Sequence, residues 1–209
     1  MREQNELLFV KSKQQKEHYL HQKLLDSSKA VVFCPYDENY TSLYEKLKEN
    51  GFHICEVRLK HFEKQTEDDN ILRVCLFGIQ CRKGIEPFLA PLYYDDEKYV
   101  LFFFTGAFQK EGIQETEEFY ADAVKYCTEQ KFPCDTLLIL DDLEILTIDG
   151  IGKAFDKAEE NNFHIICTFY DEQELDILYS DEEIAEIRQK SGQTVLSPEK
   201  NKKMKPKGV

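Results

Sequence analysis

Asp135-Thr-Leu-Leu-Ile-Leu-Asp-Asp142 is the stretch on which the fold turns. Four consecutive apolar residues, Leu137 to Leu140, run straight into two carboxylates, Asp141 and Asp142. A strand with one wet face would alternate apolar and polar residues. An uninterrupted run instead describes a strand buried on both faces, as in the middle of a parallel sheet covered by helices. Nucleotide hydrolases use the carboxyl end of such a strand to present a magnesium ligand and a water-orienting acid. Any parallel core strand can also end in an acidic turn, so the surroundings have to decide.

Outward from this strand, short apolar runs alternate with longer segments of helical spacing. That is the pattern of strands joined by crossover helices. Strands are expected at Leu7 to Val10, Ala30 to Cys34, His53 to Arg58, Ile71 to Leu76, Tyr99 to Thr105, Thr136 to Leu140 and His164 to Phe169. Apolar residues recur at intervals of three and four in Gln14 to Leu25, Tyr40 to Asn50, Ile113 to Glu129 and Ile151 to Asn161, which predicts helices there. Gly51 is placed to close the second helix as its C-cap. A last helix or pair of helices runs from Asp171 to about Lys190, opening on acids that suit the helix dipole. Thr66 to Asp96 is irregular and holds the breakers Gly84, Pro87 and Pro91, so it reads as a connecting segment. The fold class is α/β, with a mostly parallel, helix-flanked sheet.

With 209 residues the chain has room for one domain with a substantial core. Residues 1–197 are read as that domain and 198–209 as a disordered basic tail. The chain has 27 basic and 40 acidic residues, net charge −13, while the tail holds five Lys against one Glu, so the body carries −17. An acidic body repels phosphate backbones, which argues against a broad nucleic-acid-binding face and leaves weak contacts through the tail. Seven cysteines without a CxxC pair read as small buried hydrophobes in a reducing compartment. No run approaches the roughly 18 apolar residues of a membrane span. The expectation is a soluble, cytoplasmic chain.

The order of elements and several local phrases resemble one family, the TraG/TraD-like coupling ATPases of conjugative type IV secretion, relatives of the FtsK/HerA motors. Leu137-Leu-Ile-Leu-Asp-Asp, then Ile148-Asp-Gly-Ile and a helix to Asn161, look like that family's Walker B strand, its loop and the next helix. Asn162-Phe-His-Ile-Ile-Cys-Thr and Gln173-Glu-Leu-Asp-Ile-Leu-Tyr look like the adjacent strand and the helix after it. Ala30-Val-Val-Phe-Cys-Pro-Tyr-Asp-Glu, Leu43 to Asn50, Gly51-Phe and Cys55-Glu-Val-Arg resemble a further strand, turn, helix and strand. The resemblance implies a P-loop NTPase fold of RecA/FtsK type.

Where the chain departs from the family, the losses fall on the chemistry. A phosphate loop needs glycines so that successive N–H groups can surround the phosphates, a lysine for the terminal phosphates and a hydroxyl for magnesium. In register this segment reads Val10-Lys-Ser-Lys-Gln-Gln-Lys16-Glu17. Lys16 falls at the lysine position, Val10 and Gln15 replace both glycines, and Glu17 replaces the hydroxyl. Asp142 stands for the family's glutamate, and the strand ending at Cys167-Thr168 lacks the sensor glutamine, with Thr168 and Tyr170 nearest. The turn Cys34-Pro-Tyr-Asp-Glu38 keeps only the proline and the final acid of the family's Asp-Pro-Lys-Gly-Glu. The family's large helical domain and membrane anchor have no counterpart.

The resemblance therefore implies a degenerate ATPase, and the favoured reading is a noncatalytic binding protein. It would act through protein contacts with conjugation machinery or a related motor subunit, without a cofactor, as a monomer or small oligomer. Asp141 and Asp142 are the remnant catalytic pair, Lys16 the remnant nucleotide-binding residue and Asp141 the candidate metal ligand. The alternative is an ATPase with an unconventional phosphate site using Lys11, Lys13 or Lys16, or a metal-dependent hydrolase on Asp141 and Asp142. Mg and ATP enter only there. Asp141, Asp142 and Glu144 would need Asp68 or Asp69 to converge on a cation. His18 and His21, three apart on a helix, have no obvious third zinc ligand. Tyr93-Tyr94, Phe102 to Phe104 and Phe119-Tyr120 read as core and sheet-covering aromatics.

Overall fold

The computed structural model describes residues 5–35, 40–58, 71–75, 86–94, 97–104, 113–143, 148 and 151–196. Eight strands alternate with helices: β1 Glu6–Val10, β2 Lys29–Cys34, β3 Phe52–Arg58, β4 Ile71–Cys75, β5 Lys98–Phe104, β6 Thr136–Leu140, β7 Phe163–Phe169 and β8 Gly192–Leu196. The helices are α1 Lys13–Asp26, α2 Tyr44–Glu49, α3 Glu86–Leu89, α4 Ile113–Glu129, α5 Ile151–Glu160, α6 Glu172–Leu178 and α7 Asp181–Gln189. All eight strands lie in one sheet in the order β4-β3-β5-β2-β6-β7-β1-β8. Every neighbouring pair is parallel. This is an α/β fold with a parallel, helix-flanked sheet, consistent with a P-loop, RecA-like fold, with the β6 strand separated from β1 by β7.

The apolar run in β6 is explained by its two faces. Leu138 and Leu140 enter the core layer shared with α4, α5, α6 and α7, through Val124, Phe155, Leu175 and Ile187. Leu137 and Ile139 enter the opposite layer with Leu20 and Leu24 of α1 and Leu47 of α2. Each alternate residue thus meets a helix, and a polar residue at any of these positions would be stranded in a dry layer. Stacking between Phe33 and Phe103, 4.8 Å between centroids, ties β2 to β5 in the first layer.

The expected strands and helices recur to within a residue or two, with refinements. The helix read over Tyr40 to Asn50 is a 3-10 turn at Thr41–Leu43 followed by α2. Gly51 closes it at φ +81°. The segment from Asp171 to Lys190 is a pair of helices divided after Leu178, because Ser180 starts a new one with a capping box to Glu183. β8 was not anticipated from the sequence: Gly-Gln-Thr-Val-Leu has no apolar run, since an edge strand needs none. The tail 198–209, Asp68, Asp69, Glu144 and most of 66–96 lie outside the described residues. Among the described residues no helix is long and apolar enough to cross a membrane.

Candidate functional site

The carboxyl edge of the sheet gathers the ends of β1, β2, β6 and β7. After β6 the chain turns at Asp141 to Leu143, and the turn is stapled on both sides. The Asp141 amide donates to the Phe33 carbonyl of β2 at 2.9 Å, and the Leu143 amide donates to the Thr168 carbonyl of β7 at 3.0 Å. Between them Asp142 adopts φ +53°, a left-handed conformation that Asp and Asn tolerate better than most residues. The turn therefore holds Asp141 inward, 1% exposed, and Asp142 at its rim.

Both oxygens of Asp141 are occupied. Oδ1 accepts from the Thr168 hydroxyl at 2.7 Å and lies 3.1 Å from Nζ of Lys16. Oδ2 accepts from the Tyr40 hydroxyl at 3.1 Å and from the Cys34 thiol at 3.4 Å. Thr168 also accepts at its hydroxyl from the Asp142 amide, 2.7 Å away, so one side chain fixes both acids. The Asp142 carboxylate pairs with the same Lys16 ammonium. Lys16 comes from the buried stripe of α1, in line with Leu20 and Leu24 at intervals of four. Its side chain is only 10% exposed.

The charges in this cluster depend on each other. Burial opposes the ammonium of Lys16, but Asp141 and Asp142 together outweigh it and raise its pKa above the ordinary 10.5. Burial, followed by repulsion from Asp141, raises the Asp142 carboxyl above 3.8, and Lys16 offsets only part of that. The Tyr40 hydroxyl is also pushed well up, first by burial and then by Asp141. It stays a proton donor to the carboxylate. Two acids and one base share the site, leaving a small net negative charge.

The phosphate-loop position has a different structure from the loop that the register implied. Val10 still belongs to β1, α1 already begins at Lys13, and only Lys11 and Ser12 link them. Gln15, Lys16 and Glu17 are helical, and the Lys16 amide donates to the Ser12 carbonyl at 3.0 Å instead of pointing at an anion. Glu17 pairs with Lys13 at 3.9 Å. Side-chain bulk at Val10 and Gln15 is thus accommodated by extending the strand and helix into the loop. A magnesium nucleotide does not fit these residues as they stand: the Lys16 amide closes the helix on Ser12, and the Lys16 ammonium sits on both acids.

A second, solvent-exposed ion pair spans the same edge. α1 packs in one core layer and α6 in the other, so the chain leaves the adjacent strands β1 and β7 toward opposite faces. Open α/β sheets bind ligands at such a divergence. Here Lys11, just after β1, pairs with Asp171, just after β7, at 2.9 Å. Asp171 also caps α6 by accepting from the Gln173 amide at 3.1 Å. Its carboxyl is held below the usual range by the Lys11 hydrogen bond first and the Gln173 amide next.

The structure brings Lys16, Asp141, Asp142 and Thr168 together. It leaves out Tyr170, which is 55% exposed, while Lys13 pairs with Glu17 and reaches Asp142 only through its charge. The participation of Tyr40 and Cys34 went unread, because a tyrosine opening a helix and a cysteine ending a strand look like core residues. Their signal is positional, since β2 lies next to β6. His21 lies against the Tyr40 ring, 6.1 Å between centroids. Among the described residues, no group of three His, Cys, Asp or Glu side chains is arranged to hold a metal ion. Comparisons with protein families, with curated proteins and with solved structures find no match to this chain.

Proposed function

We propose that this chain is a noncatalytic binding protein on a nucleotide-motor scaffold, derived from a conjugative coupling ATPase and acting through protein contacts in conjugation or type IV secretion. One observation carries the noncatalytic half: the Lys16 ammonium occupies both Asp141 and Asp142, the positions a magnesium nucleotide would need. For an ATPase or a metal-dependent hydrolase to operate here, that buried ion cluster would first have to open, and breaking a buried pair costs about 3–5 kcal/mol. The helix running through the phosphate-loop position supports the same reading. The link to conjugation rests on the sequence resemblance.

Calorimetry with Mg·ATP and a turnover assay test this directly. The expected result is no heat of nucleotide binding and no phosphate release above background, in the unaltered chain and in Asp141→Asn alike. Magnesium-dependent turnover abolished by Asp141→Asn would overturn the proposal and establish the enzymatic alternative.

A further inference from the structure

The sheet ends at β8, and among the described residues no strand pairs with its outer side. In a parallel ladder a residue sends its N–H and C=O to one neighbour and the next residue sends its own to the other. The Gly192 amide donates to Asn5 at 2.7 Å, so Gly192, Thr194 and Leu196 face β1. The main-chain groups of Gln193 and Val195 therefore face outward. Edge strands are commonly guarded by Lys, Pro or a bulge against pairing with other chains. β8 has none of these: Ser191 to Ser197 is free of charge and proline in a chain that is 32% charged. The Val195 side chain is 63% exposed.

Charge identifies what the edge accepts. The helices leading into β8, α6 and α7, carry seven acids and one base, and that base, Arg188, is engaged by Glu172 at 3.1 Å and Asp176 at 3.4 Å. A second copy adding its own β8 antiparallel would continue the sheet and set two such acidic pairs side by side on one face. Like-charge repulsion disfavours that arrangement and favours a basic partner.

We propose that β8 is a strand-addition site, and that its occupant is an extended, Lys- or Arg-rich segment of a partner protein. The partner's main chain pairs with Gln193 and Val195, and its basic side chains meet the α6–α7 acids. This names the surface for the binding role proposed above and rests on that reading.

The probe is the peptide acetyl-Lys-Val-Lys-Val-Lys-Val-Lys-amide, titrated into the full chain by calorimetry. Val195→Pro removes one outward N–H while leaving the β1 ladder and the charge untouched, which an edge position tolerates. Binding is expected to weaken about tenfold or more in Val195→Pro, with thermal unfolding little changed. In the unaltered chain, hydrogen exchange at Gln193 and Val195 is expected to slow on peptide addition while Thr194 is protected throughout, a readout that holds even if the proline variant fails to fold. Equal binding by both chains would mean charge attraction alone and would overturn the proposal. Absence of binding, unchanged exchange at Gln193 and Val195, or a β8-dependent dimer in sedimentation would do the same. Nucleotide turnover does not enter these readouts, so failure here leaves the noncatalytic reading intact.

Discussion

Thr168 donates its hydroxyl proton to Asp141 at 2.7 Å while accepting the Asp142 amide at 2.7 Å. A single hydroxyl on β7 thus sets the geometry of both acids beyond β6. Thr168→Val keeps the shape but leaves a buried amide and a carboxylate oxygen each short of a partner. It is expected to cost about 2–3 kcal/mol in denaturant unfolding. Thr168→Ser, which keeps the hydroxyl, is expected to recover most of that loss.

Lys16→Met places a chain of similar length on the same helix stripe but removes the ammonium that pairs with both Asp141 and Asp142. The expected cost at neutral pH is about 3–5 kcal/mol, because the buried Asp141 and the partly buried Asp142 lose their counter-ion. Stability of this variant should rise as the pH is lowered and carboxyl protons return. Equal stability of Lys16→Met and the unaltered chain at pH 7 would count against a structural role for the cluster.

The raised pKa of Asp142 sets the direction of an acid-side dependence. Between its ordinary value of 3.8 and its higher folded value, the folded state binds more protons than the unfolded state. Its contribution to stability therefore falls as the pH rises through that window. Asp142→Asn keeps a residue suited to φ +53° and removes the titration, so its stability curve should be flatter above pH 3.8. Lys16 has the same sign at the alkaline end: its raised pKa gives stability fully present below 10.5 and lost as the pH rises through its higher folded value.

The buried strands were legible because a residue that meets a helix on either face must be apolar, and Leu137 to Leu140 satisfy that without interruption. Gly51 was legible for a conformational reason, and its φ of +81° bears that out. β8 was not, because an outermost strand has little to bury. Lys16 was found as a residue but its pairing with Asp141 and Asp142 was not, because a lysine after a strand reads the same whether it faces phosphate or two carboxylates. The partnership of Tyr40 with Asp141 depends on β2 lying beside β6, a strand order that one-dimensional periodicity does not encode.

Gly51 and Gly152 separate two causes of glycine sensitivity. A Cβ at Gly51 would meet nothing within 4 Å, so Gly51→Ala tests backbone strain alone and is expected to destabilise by about 1–2 kcal/mol.

At Gly152 in α5, an added Cβ would lie 2.7 Å from Glu186 Oε2, the movable end of an exposed side chain. Gly152→Ala should therefore range from neutral to a gain of up to about 1 kcal/mol through helix propensity. A clear loss of thermal stability would mean that α5 and α7 cannot spread to admit the methyl group.

The position of β1 governs how the chain is completed during synthesis. Of the eight described strands it is made first, yet its neighbours are β7 and β8, the last two. While β2, β3, β5 and β6 can pair as they emerge from the ribosome, β1 has to wait for β7, which follows all of them in the chain. Lys16, carried on the helix after it, reaches the acids only then. A nascent or truncated chain ending before β7 would leave Leu7 to Val10 unpaired and two acidic side chains without their base, a state that chaperones and proteases can recognise as unfinished.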